Sequence, residues 1–104
     1  ETQFKLLQET GVRITRLSKP QTEKNINEKY FENEWEKKQI KSILPKTTTN
    51  SLCDLIDISE KMTIYFEKCL INHEDEKIKK NRLIFISTIK DCFDQVANFE
   101  KISG

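Results

Sequence analysis

Glycine occurs only at Gly11 and Gly104, proline only at Pro20 and Pro45, and alanine only at Ala97. So few glycines leave few tight turns, which excludes a turn-rich β fold and favours long helices joined by few loops. No glycine-rich loop is available to cradle a phosphate or to build an oxyanion site. Cysteine is confined to Cys53, Cys69 and Cys92, an odd set with no Cys-x-x-Cys pair, so the thiols read as reduced and the chain as intracellular. No apolar run approaches the ~20 residues of a membrane span, and no signal peptide is visible. Glu1 stands where an initiating Met would, so the chain is expected to be a fragment or a processed product, with targeting information free to lie outside it, while the basic cluster Lys77, Lys79, Lys80 and Arg82 is a candidate nuclear-import address.

Net charge is also missing. Eighteen Lys and Arg face seventeen Asp and Glu, for a formal +1, too little to argue for a nucleic-acid or membrane partner from the total. The distribution is mildly polar. Residues 1–20 carry Lys5, Arg13, Arg16 and Lys19 against Glu1 and Glu9, while 47–73 carry Asp54, Asp57, Glu60 and Glu67 against Lys61 and Lys68. At 104 residues the chain is one domain, able to hide about 65% of its unfolded surface in a modest core.

What the sequence does contain is helical periodicity. Leu52, Leu55, Ser59, Met62, Phe66 and Cys69 recur at steps of three and four, and so do Ile78, Arg82, Phe85, Ile89, Cys92, Val96 and Phe99. That is one face of an α-helix, twice. Extending the first rhythm lands on the polar His73, Glu76 and Lys80, whereas the second starts afresh at Ile78. A turn explains the phase break more simply than a rotated stripe in one rod. Asn72 or His73 can terminate the first helix in the left-handed conformation, and Glu74, Asp75 and Glu76 suit the positive end of the next. The expectation is an antiparallel hairpin of helices 50–71 and 75–101, with Asn50 or Ser51 capping the first.

Upstream, Thr22 is a plausible cap for a helix over 22–44, ended by Pro45. Ile26, Tyr30, Ile40 and Leu44 share one of its faces, while Phe31 and Trp35 form an i, i+4 pair pointing elsewhere. In residues 1–20, Gly11 is expected to end a turn of helix, and Val12-Arg13-Ile14 alternates like a strand with nothing to pair with. We therefore expect an extended docking arm over 1–20 and a helical bundle over 21–104. The fold class is all-α: a small three-helix bundle, the hairpin plus one N-terminal helix, with that arm ahead of it.

Apolar surface exceeds what two hairpin helices can cover. Cys53, Ile64 and Ile71 form a second stripe on the first, and Leu83-Ile84-Phe85-Ile86 is apolar on all sides of the second. Arg82 sits on the core stripe where an aliphatic residue is expected, and if buried it needs a carboxylate. The candidate partner-binding residues are Val12, Ile14, Leu17, Phe31, Trp35, Ile64, Ile71 and Arg82.

Catalytic chemistry is not indicated. Cys69, His73 and Cys92 give three candidate zinc ligands where a structural site wants four, and nothing calls for another metal or a cofactor. The sequence points to a non-enzymatic protein–protein interaction module, a scaffold or complex subunit that docks to another chain, or to itself, through exposed apolar helix faces. The second reading is a nucleic-acid-binding helical domain using Arg13, Arg16, Lys19 and the cluster Lys77, Lys79, Lys80 and Arg82, with Phe31 and Trp35 as a stacking platform. Glu74, Asp75 and Glu76 offset much of that cluster's field.

Overall fold

The computed structural model describes residues 2–19, 21, 25–48 and 52–96. Four α-helices are formed there: α1 (Thr2–Leu17), α2 (Glu34–Ile43), α3 (Leu52–Lys68) and α4 (Glu76–Val96). Short 3-10 turns at Glu28–Tyr30 and Leu44–Thr48 flank α2, and no strand occurs among the described residues. The all-α class holds. No helix among these residues is long and apolar enough to cross a membrane.

The chain turns between α3 and α4 close to the expected place, and both helices pack chiefly on α1. An unbroken helix over 50–99 would be about 75 Å long at ~1.5 Å per residue, whereas the longest dimension of the molecule is 37 Å. The turn is built differently, however. No described residue has positive φ, so neither Asn72 nor His73 adopts the left-handed conformation. Instead the Asp75 Oδ1 accepts the backbone amides of Lys77 (2.9 Å) and Ile78 (3.4 Å), capping α4. The expected caps at Thr22, Asn50 and Ser51 lie outside the described residues, as does everything after Val96.

Two expectations are overturned. Residues 2–17 are helical, not an extended arm, and α1 packs against both α3 and α4. Its buried face is Leu7, Thr10, Gly11 and Ile14, spaced three and four apart. Gly11 sits inside this face and does not end the helix; without a Cβ it permits the close approach of backbones. Val12 lies off that face, so its alternation with Ile14 never described a strand. The helix expected over 22–44 is also shorter. Asn27 accepts the Lys29 amide and Asn33 accepts the Glu36 amide, both at 2.9 Å, so each starts a new local structure and, among the described residues of this span, only Glu34–Ile43 is α-helical.

The core draws Leu7 and Ile14 from α1, Ile40 and Ile43 from α2, Leu55, Ile58, Met62 and Tyr65 from α3, and Phe85, Ile86, Ile89, Cys92 and Phe93 from α4. Tyr65 and Phe85 bridge α3 and α4 edge-to-face, ring centroids 5.2 Å apart. Within Leu83-Ile84-Phe85-Ile86, apolar on all sides in sequence, the last three are buried and Leu83 partly so, because α1 and both 3-10 turns pack on α4.

Candidate functional site

Arg82 is the centre of the largest polar cluster. Its side chain is 1% exposed, and so is that of its partner Glu36. The Arg82 Nε–H donates to Glu36 Oε2 (2.8 Å), Nη2–H to Glu32 Oε1 (2.8 Å) and Nη1–H to the Leu70 carbonyl (2.6 Å). The Tyr65 hydroxyl donates to Glu36 Oε2 as well (2.8 Å), and the Glu32 amide to Glu36 Oε1 (2.8 Å). Burial alone would lower the Arg82 pKa, but the hydrogen bonds to Glu36 and Glu32 outweigh it and raise the value. Burial, reinforced by the Glu36 carboxylate, pushes the Tyr65 hydroxyl well above its usual range and keeps it a donor. The guanidinium of Arg82, then Nε2 of His73, hold the Glu32 carboxyl below the ordinary carboxylate range.

His73 extends the cluster to the surface. Its Nδ1 accepts the Asp75 amide (2.9 Å), which leaves the proton on Nε2 to donate to Glu32 Oε2 (2.9 Å). Among the described residues no buried side-chain polar atom lacks a partner, and no group of three or more His, Cys, Asp and Glu could hold a metal. Burial pushes the Cys69 thiol up to about 11, and burial likewise raises that of Cys92. With Arg82 and Glu36 sealed from solvent, the cluster ties α2, the segment just before it, α3, the turn after α3 and α4 together.

One residue earlier on α4, Asn81 faces a different feature. A cavity of about 290 Å³ opens between α4 and the segment before α2, lined by Asn25, Asn27, Tyr30, Lys77, Lys80, Asn81 and Ile84. The Lys77 ammonium lies 5.7 Å from the Tyr30 ring centroid, within reach of its π face. Asn81 is buried and clasps the backbone of Asn27 on both sides, its Oδ1 accepting the amide (2.8 Å) and its Nδ2–H donating to the carbonyl (3.1 Å). Two acids close by in sequence are engaged elsewhere: Glu28 pairs with Lys41 at 2.6 Å and Asp75 caps α4.

The residues expected to meet a partner are dispersed. Ile14 (0% exposed), Ile71 (8%) and Arg82 are enclosed by the chain's own helices, so their side chains are not presented to another molecule. Ile71 is covered because it lies in the turn after α3 ends at Lys68, off the helical stripe assumed for it. Leu17, Phe31 and Trp35 are half-buried against the core, Trp35 stacked on Tyr65 with centroids 6.4 Å apart. Half-buried Val12 lines an open groove on α1 with Gln8, Glu9, Arg13 and Arg16. Ile64 stays 48% exposed, and Phe4 (54%) and Leu70 (67%), not expected from periodicity, join it on the surface. Periodicity also passed over Asn27, Asn81, Glu32 and Glu36. A buried arginine implied a carboxylate, but nothing local named which one.

Comparison with known proteins adds one direction. The chain is similar to the glycine–tRNA ligase beta subunit of Rickettsia africae (strain ESF-5), 35% identical over 63 residues, which is 61% of this chain and 10% of that protein. It is also similar to that of Sulfurihydrogenibium sp. (strain YO3AOP1), 36% over 50 residues, covering 48% of this chain and 7% of that protein. The beta subunit of Coxiella burnetii (strain RSA 493 / Nine Mile phase I) is 29% identical over 55 residues, 53% and 8% of the respective lengths. The chain thus spans about a tenth or less of the curated relatives it matches. No family model and no solved structure matches it.

Proposed function

We propose that this chain is a non-catalytic helical binding module, akin to a segment of a glycine–tRNA ligase beta subunit, and that it contacts RNA through the cavity beside α4. The observation carrying this reading is the cavity's composition. A tyrosine ring for stacking, lysines for a phosphate and the Asn25 amide for a base edge meet around one space. At about 290 Å³ the space lies at the small end of ligand sites and suits a single nucleotide. The relatives' name, a glycine–tRNA ligase subunit, supports the same ligand class. Lys77 supplies charge and Tyr30 a platform; Arg82, sealed in its ion cluster, supplies neither.

A second reading rests on a separate observation. Phe4, Ile64 and Leu70 are large apolar side chains left in solvent, and the relatives are subunits, so a protein partner of a larger assembly is the competing occupant of this surface. Fluorescence anisotropy with a labelled glycine tRNA transcript separates the two. Under the RNA reading, affinity falls steeply as salt rises from about 50 to 200 mM, and Lys77→Gln weakens binding and lowers the log–log salt slope by about one. Tyr30→Ala weakens it with the slope unchanged. No binding at low salt, or binding lost only in an Ile64→Asp, Leu70→Asp double variant, would reject the RNA reading.

A further inference from the structure

Resting on that reading, we infer that Asn81 is the positioning residue of the cavity: its two hydrogen bonds to the Asn27 backbone hold the Asn25–Tyr30 wall at the distance from Lys77 that a nucleotide requires. The two bonds span 54 positions of sequence and are the described hydrogen bonds that join the wall before Glu32 to α4. Asn81 satisfies donor and acceptor of one peptide group at once, as a neighbouring strand would, which is a job that suits a side-chain amide.

Around this clasp, local bonds organise the wall, and its ion pair to α2, Glu28 with Lys41, is solvent-exposed on both sides. Asn27 Oδ1 accepts the Lys29 amide and the Tyr30 amide donates to the Asn27 carbonyl at 3.1 Å, so the 3-10 turn carrying Tyr30 hangs from Asn27. Moving Asn27 therefore moves the Tyr30 ring relative to the Lys77 ammonium. Downstream, the segment is pinned again at Glu32 by Arg82, one residue along α4 from Asn81. The adjacent pair divides the work: Arg82 fastens the fold at Glu32, and Asn81 sets the shape of the opening through Asn27, five positions earlier in the chain.

With Asn81 removed, the wall samples positions off the cavity, and apparent affinity drops in proportion to the fraction of molecules still in register. Anisotropy of the same tRNA transcript should show Asn81→Ala binding about tenfold more weakly, a fraction of about one in ten remaining competent, while the salt slope stays that of the parent because Lys77 and Lys80 are retained. Lys77→Gln, by contrast, reduces the slope. Hydrogen exchange supplies a readout needing no variant: in the parent protein the Asn27 amide is protected and becomes more so on adding tRNA. Parent affinity in a folded Asn81→Ala protein, or an Asn27 amide whose exchange ignores tRNA, would overturn the inference. A parent protein that does not bind tRNA at all, or a Lys77→Gln slope equal to the parent's, would instead overturn the RNA reading beneath it.

Discussion

Arg82 occupies a position on α4 whose neighbours in phase, Phe85 and Ile89, are fully buried, and it is buried with them. Removing two charges from water is costly, and here the cost is offset by complete hydrogen bonding to Glu36, Glu32 and the Leu70 carbonyl. Breaking such a pair from one side leaves the other charge stranded. Arg82→Met should therefore cost about 3–5 kcal/mol in urea unfolding, enough to threaten a marginal domain. Arg82→Met combined with Glu36→Met should recover part of that loss, because no unpaired charge then remains buried. A double variant less stable than the single one would show that the carboxylate's contacts to Tyr65 and the Glu32 amide, not its pairing with Arg82, dominate.

Helix α1 shows how an element can be held by what its sequence omits. Gly11 inside a helix costs about 1 kcal/mol relative to alanine, yet it lies on the buried face between Leu7 and Ile14. Close packing of α1 on α3 and α4 is the compensating gain. Gly11→Leu raises helix propensity but drives a side chain into that seam. Overpacking of this kind typically costs about 1–3 kcal/mol, so the variant should unfold at lower urea despite its better helix former. A midpoint equal to or above the parent's would mean that α1 can move aside, and that the seam is not tightly packed.

At the scale of the whole molecule, the radius of gyration of 13.1 Å matches the about 13 Å expected for a compact domain of this size. Acid should open it in a definite window. Glu32 is held below its ordinary 4.5 by Arg82 and His73, and Asp57 below its ordinary 3.8 by Lys46. A carboxyl depressed in the folded state contributes stability above its unfolded pKa and loses it as pH falls through the folded one. Urea midpoints should thus stay level down to about pH 5 and fall below about pH 4.5, less steeply in Glu32→Gln. A decline well under way above about pH 5 would assign the acid sensitivity to groups other than these carboxylates.

The sequence by itself determined the helical class, the two long amphipathic runs and the turn between them. The reason is that Leu55, Met62, Phe85 and Ile89 report their burial through hydrophobicity at the helical period. It did not determine α1, because two of that helix's four buried face positions are Thr10 and Gly11, which a search for apolar residues passes over. Nor did it determine the site. Asn27 with Asn81, and Glu36 with Arg82, are pairs 54 and 46 positions apart whose partnership exists only once α2 and the segment before it have folded onto α4. Local spacing encodes which face of an element is buried; which polar groups meet across elements is decided by tertiary packing, since a hydrogen bond reaches only about 3 Å.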